Sequence, residues 1–319
     1  MSNAHGDEHP IEIGTEDDES CYGSSIGSDT TSLSSSVFDY VYENGRRYAS
    51  QRSGNYLLPN DEIEQERLDM FHHMYNLILR GELHLAPITE RPLRRVLDLG
   101  TGTGVWAVDM GDLYPEAEIL GTDLSPIQPN WVPPNVKFEV DDFELEWAYK
   151  KDEAFDYIHG RGMLGAVKDW QALANQCYEN LVPGGYVEFQ ESAITEALSD
   201  DGTHAGTRIE TYSTHVEEAS RIAGTNLHLV SEIDKFLKNA GFVNVTKRVI
   251  KAPVGNWPKD PRFKEIGKIF LAIGMSGVEA YGLALLTRVL KWSEKDAKEL
   301  IKGVCEDLSN RKIHVYYPQ

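Results

Sequence analysis

Gly100, Gly102 and Gly104 recur at alternate positions in VLDLGTGTGVW, where a run of branched apolar residues gives way to a helix-forming stretch. Glycines so placed let a main chain pass close to a bound molecule, because no Cβ stands in the way. The spacing is GxGxG, one residue short of the GxGxxG that sets a helix N-terminus against a dinucleotide pyrophosphate. Asp98 stands two residues ahead of the first glycine. A carboxylate there repels a diphosphate and attracts the ammonium of a methionine moiety. The pattern therefore favours S-adenosyl-L-methionine over a nicotinamide dinucleotide, and an oxidoreductase using the latter is the minor alternative.

Further acids fall where such a nucleoside needs them. Asp123 closes AEILGTD, the next apolar run, and a carboxylate at that strand end can accept both ribose hydroxyls. Asp141 and Asp142 follow VKFEV and can take an adenine amino group, with Phe143 beside them to pack on the ring. His159 and Arg161 end FDYIHGR, while Gln190 and Glu191 end YVEFQE. Ligands of doubly wound folds sit outside these carboxyl ends. His159 could accept a proton from an attacking hydroxyl or amine, or it and Arg161 shape the pocket, which is the plainer reading. Glu191 reads as a pocket wall, Asp200 and Asp201 as a turn, and Trp257 as either lid or core. Arg47 could meet the methionine carboxylate from an N-terminal arm that also carries Arg46 and Tyr48; a surface arginine is the simpler reading. Methyl transfer from a sulfonium demands positioning above all, so no compulsory catalytic dyad is sought and the catalytic residues are left unassigned.

The elements that must hold these residues alternate strand and helix from residue 94 onward, which predicts an α/β fold with a doubly wound parallel sheet. Residues 193–228 and 254–310 interrupt the alternation as helical insertions, and KIHVYY alternates like a closing strand. Before the sheet, NDEIEQERLDMFHHMYNLILRGEL carries Asp61 and Glu64 as a capping box and an apolar face of Leu68, Phe71, Tyr75, Ile78 and Leu79. Its adjacent His72 and His73 point different ways and read as exposed. Ser293 and Asp296 form a second capping box. The domain reading is a disordered acidic, serine-rich tail over 1–36, an arm and helix over 37–93, and the main domain over 94–319.

The chain carries a formal net charge of −20 over 319 residues. The tail holds eight acids and no lysine or arginine, so −8 lies there and −12 in the remainder. Neither part offers the basic stripe that phosphate backbones require, which argues against direct nucleic-acid binding. Three scattered cysteines suggest neither a disulfide framework nor a metal site. No transmembrane run or secretory leader is read, and the chain is expected to be intracellular.

Over roughly residues 37–319, VLDLGTGTGVWAVDMGDLYP, GTDLSPIQPNWVPPNVKFEVDD, FDYIHGR, LVPGGYVEFQE and SDDGT resemble the fungal LaeA-like methyltransferases, as do YENGRRY upstream and GNWPKDPRFKEIG downstream. The resemblance implies a class I, seven-strand, Rossmann-like fold in the order 3-2-1-4-5-7-6 with the last strand antiparallel. It implies S-adenosyl-L-methionine held by Asp98, Gly100, Thr101, Gly102, Gly104, Asp123, Leu124 and Asp142, with His159 and Arg161 nearby. It also implies a role in secondary metabolism and development within velvet-type complexes, in the nucleus or cytoplasm. A regulatory scaffold that keeps the cofactor pocket but works through protein partners is the alternative, and the methyl acceptor, protein or small molecule, stays open.

Overall fold

The computed structural model describes residues 40–49 and 58–319. The expected disordered tail over 1–36 and parts of the arm lie outside the described residues. Inside them the arm forms a hairpin, β1 (Tyr40–Glu43) and β2 (Arg46–Ala49), turned at Asn44–Gly45. Buried Arg46 reaches Asp61 with Nε at 2.6 Å and Nη2 at 2.9 Å, which ties the hairpin to helix α1 (Glu62–Ile78). Asp61 caps that helix by accepting from the Glu64 N–H at 3.1 Å. The capping box is only half made, because the Glu64 carboxylate turns to Arg67 instead, at 2.6 and 2.9 Å. Both partners of that pair are buried, and a buried guanidinium is costly to leave unpaired.

The central sheet joins β3 (Arg95–Leu99), β4 (Glu118–Asp123), β5 (Val136–Val140), β6 (Phe155–Arg161) and β7 (Leu181–Gln190) in the order β5-β4-β3-β6-β7, all parallel. Successive side chains leave a strand on opposite faces. Val96, Ile119 and Tyr157 thus meet helix α2 (Val105–Leu113) through Trp106, Ala107 and Met110. Their neighbours Leu97, Leu120 and Ile158 enter the larger core, where helix α3 (Trp170–Glu179) contributes Leu173, Ala174 and Cys177. The five strands of this sheet fall in the expected segments, and the α/β class holds.

Beyond β7 the expected strand order is followed, with the sheet broken. Helices α4 (Arg208–Ala223) and α5 (Ile233–Ala240) precede β8 (Lys251–Pro253), and α6 (Pro261–Ala284) and α7 (Glu294–Leu308) precede β9 (Tyr316–Pro318). β8 and β9 pair antiparallel as a separate ribbon. That ribbon docks on the chain just past β7, through Leu198 and Tyr316 exchanging N–H···O bonds of 3.0 and 2.8 Å. The expected strand over VNVTKRVIKAPVG shortens to three residues, because Val243 to Val249 are mostly exposed and have no strand beside them.

The run Pro261–Val289, α6 plus a π-helical turn, is long and apolar enough to cross a membrane by length and composition, which the sequence reading did not anticipate. Here it packs against α1, α7 and β8. Ser293 caps α7 by accepting from the Asp296 N–H at 3.1 Å. Ser293→Ala is expected to lower the unfolding free energy by about 1 kcal/mol; urea denaturation giving a change below ~0.3 kcal/mol would show the cap to be idle.

Candidate functional site

The carboxyl ends of the five parallel strands bring the predicted residues to one rim. β3 leads into the glycine loop, where Gly100, Gly102 and Gly104 have φ of 60°, 58° and 79°. These left-handed values favour glycine. The three positions differ in surroundings. A Cβ on Gly100 would meet only Phe143, at 3.6 Å, and one on Gly102 would meet Leu68 of α1 at 3.2 Å. A Cβ on Gly104 would fall 2.4 Å from the Phe138 ring. On that side Gly104 therefore faces protein, whereas Gly100 has open surroundings and Gly102 faces only Leu68.

Carboxylates surround the loop. The Thr101 hydroxyl donates to Asp98 at 2.6 Å, and the Thr103 hydroxyl to Asp69 of α1 at 2.6 Å. The Gly102 N–H donates to Asp123 at 2.8 Å, and Asp123 also accepts from the Ser125 N–H at 2.9 Å and from Leu124. Burial pushes the Asp123 carboxyl up to about 6 against those hydrogen bonds, helped by repulsion from Asp98. The Asp141 N–H bonds the Asp123 carbonyl at 3.0 Å, which draws the end of β5 against it. Asp141 and Asp142 spend one side-chain oxygen each on the N–H groups of Asp142 and Glu144, and Phe143 is buried behind them.

β6 supplies the next pair. His159 is fully buried, and its Nδ1 donates to Asp98 at 2.7 Å across the strand register that sets the two side by side. Its ring stacks on Trp106 at 3.7 Å between centroids. Burial lowers its pKa despite Asp98, so the ring is neutral and Nε2 is a lone-pair acceptor that no protein donor satisfies. Arg161 donates from Nε to Gln190 at 2.8 Å and from Nη1 to His72 at 3.0 Å, and lies over the Tyr75 ring at 4.7 Å. Because a guanidinium only donates, His72 carries its proton on Nε2, facing Asp109 at 2.8 Å. His72 is thus buried in the site wall rather than exposed, while His73 is exposed. Arg161 Nη2 is buried with no partner.

Glu191 is buried just past β7 and accepts from the Met163 N–H at 2.8 Å and the Leu164 N–H at 3.3 Å. Other candidates fall away from the rim chemistry. Arg47 spends its guanidinium on Asn60 and Glu62, and Tyr48 is buried under Arg288. Asp200 bonds Lys251 and Tyr316, Asp201 bonds His314 and Thr203, and Trp257 is a buried anchor donating to the Val254 carbonyl at 2.8 Å. Sequence reasoning missed Trp106 under His159. It also missed Gln128, which donates to the Gly102 carbonyl at 2.7 Å. Trp106 lay inside the glycine stretch and Gln128 inside GTDLSPIQP, so both sat in segments already singled out.

These residues fit a nucleoside that ends in an amino acid. Gly100 and Gly102 leave main chain uncovered by side chains of their own, acids rather than bases ring the loop, and Arg161 Nη2 is a buried donor without an acceptor.

Residues 70–247 match the family described as a methyltransferase domain. The chain is 44% identical over 292 residues to the methyltransferase pytC of Aspergillus terreus, covering 91% of this chain and 89% of that one. It is 37% identical over 279 residues to the secondary metabolism regulator LAE1 of Cochliobolus heterostrophus, covering 86% and 91%. With the protein-methionine methyltransferase laeA of Emericella nidulans it shares 33% identity over 277 residues, covering 86% and 73%.

Proposed function

The chain belongs to the LaeA-like family of methyltransferases, and from that premise we propose that it binds S-adenosyl-L-methionine at the glycine loop and transfers its methyl group. The observation that carries this reading is the acidic ring around an open main chain: Asp98, Asp69 and Asp123 hold Thr101, Thr103 and Gly102 respectively. At ~4 Å a carboxylate and a unit cation attract by about 1 kcal/mol in water and about 4 kcal/mol near a protein surface, and a pyrophosphate is repelled on the same scale. The residues that would hold the cofactor are Gly100, Gly102, Asp123, Leu124, Asp141, Asp142 and Phe143 on the nucleoside side, with Asp98, His159 and Arg161 on the amino-acid side. When bound, the sulfonium supplies a methyl group that is already activated for displacement. The protein orients and dries the site, and α1 covers it with Leu68.

Calorimetric titration is expected to give saturable binding of S-adenosyl-L-methionine and none of NAD. Asp123→Ala is expected to weaken the methyl donor by roughly tenfold to a hundredfold, about 1.4–2.8 kcal/mol. Unchanged affinity would reject the assignment.

The regulatory role named for LAE1 of Cochliobolus heterostrophus extends to this chain as part of the same proposal, as does assembly with velvet-type partners in the nucleus or cytoplasm. Trp131, 96% exposed, and Tyr42, 72% exposed, support a partner-binding surface. Full rescue of a deletion strain by the Asp123→Ala chain would favour the scaffold role over catalysis.

A further inference from the structure

A second cavity opens on the same rim, with about 780 Å³ of empty space including its mouth. Its walls come from α1, α4, α6, α7, β9 and the chain just past β6 and β7. The walls are largely hydrocarbon, including Phe71, Leu164, Ile194, Val216, Phe270 and Ile273. Polar groups at the wall are mostly spoken for within the protein. The Tyr212 hydroxyl donates to the Val278 carbonyl at 2.8 Å, and Arg67 is paired with Glu64 and bonded to Tyr281. Glu191 and Tyr317 are the exceptions: the Glu191 carboxylate takes two main-chain N–H groups where a carboxylate has about four acceptor positions, and burial alone raises the Tyr317 hydroxyl.

One face of α1 serves both this cavity and the glycine loop. Phe71 lines the cavity against Gly162, and Leu68, three residues earlier on α1, lies over Gly102. Residues three apart on a helix project from the same side. We propose that the cavity is the methyl-acceptor site, that it takes an uncharged, mainly hydrocarbon small molecule bearing one hydroxyl, and that Glu191 accepts the hydroxyl proton. The proposal rests on the methyltransferase reading above. The acceptor oxygen forms a bond to the methyl carbon, the carbon–sulfur bond of a sulfonium donor breaks with its electron pair staying on sulfur, and the proton passes to Glu191. Burial pushes the Glu191 carboxyl up to about 8, the two N–H groups opposing it. It is thus mostly uncharged at neutral pH, which suits an apolar ligand, and becomes a base as the pH rises. The titratable groups around it are Tyr75 and Arg67 from α1, Tyr212 from α4, Tyr281 from α6 and Tyr317 from β9. All four tyrosines are held above their ordinary range by burial and keep their protons throughout that rise.

Gly277 offers a clean obstruction. It lines the cavity, a Cβ there meets only the Arg67 side chain at 3.7 Å, and leaving glycine favours the helix. The test uses the full chain with 1-naphthol, decanol and a methionine-containing peptide as acceptors, naphthol binding being followed by its fluorescence. Gly277→Leu is expected to weaken naphthol binding at least tenfold while leaving S-adenosyl-L-methionine titration unchanged. Val216→Phe, from the α4 wall, should repeat this if α6 does not tolerate the first change. Glu191→Gln should lose about a hundredfold or more in methyl-ether formation and lose the rise of that rate toward pH 8. The proposal falls if wild type binds neither naphthol nor decanol. It also falls if obstruction leaves binding unchanged, or if only the peptide or the protein itself is methylated. Failure to titrate S-adenosyl-L-methionine would instead sink the methyltransferase reading, with naphthol binding still measurable on its own.

Discussion

Gly104→Val is expected to remove roughly 2–5 kcal/mol of folding stability, at the upper end enough to unfold many domains of this size near body temperature. Two costs combine. At φ 79° a β-branched residue enters left-handed space, which costs about 1–2 kcal/mol. The first added carbon would also fall 2.4 and 2.7 Å from Phe138 ring atoms, and overpacking of that kind costs about 1–3 kcal/mol. The ring has little room to yield. The adjoining edge of the ring lies against Gly121, where an added Cβ would meet it at 2.7 Å, and the ring packs with the Val96–Trp106 cluster. Phe138→Leu by itself is destabilising, yet combined with Gly104→Val the two losses should fall short of their sum by at least 1 kcal/mol, as expected of residues in contact. Guanidinium denaturation of the four proteins measures this. Additive losses would mean that Phe138 is not what requires a glycine at 104.

That pairing shows where sequence reading works and where it stops. The alternation of apolar runs with helix-forming stretches placed all five strands of the parallel sheet, because burial on both faces writes a continuous hydrophobic run into each strand. The carboxyl-end rule then placed Asp98, Asp123, Asp141, His159 and Arg161 on one rim, since a chain that reverses through a helix returns every strand in the same direction. What local pattern cannot carry is which neighbour each residue meets across the sheet. Gly104 read as part of a ligand cradle, and the Phe138 ring of β5 that also lies against it had no sign in the local pattern. His72 read as an exposed helix residue, but the helix crosses the rim and turns it toward Asp109 and Arg161. The apolar cavity was invisible for the same reason: its walls come from segments between residues 67 and 317. Gly274 and Gly277 in α6 look like helix weaknesses until the space beside them is seen.

Glu191 should give the molecule a pH-dependent stability that Gln at this position abolishes. In the unfolded chain a glutamate loses its proton near pH 4.3; in the fold, burial holds the Glu191 proton until about 8. Between those values the folded state binds more protons, so stability falls as the pH rises. The contribution is fully present below about pH 4.3 and is gone above about 8. At about 1.4 kcal/mol per unit it amounts to roughly 5 kcal/mol over the whole window. Asp123, pushed up to about 6, acts in the same sense at lower pH. His159, lowered by burial, acts oppositely as the unfolded ring deprotonates near pH 6.5. The interval from pH 6.5 to 8 therefore isolates Glu191, and wild type should lose about 2 kcal/mol across it. Glu191→Gln trades one acceptor facing the Leu164 N–H for an amide, a constant loss of about 1 kcal/mol, and its stability should be flat over the same interval. On these figures the two curves cross at about pH 5, and the variant is the more stable protein throughout the interval and at about pH 9. Parallel urea-unfolding profiles would show instead that the carboxyl titrates in the fold as it does in the open chain, and the cavity would then carry a charge at neutral pH and could not favour an uncharged acceptor.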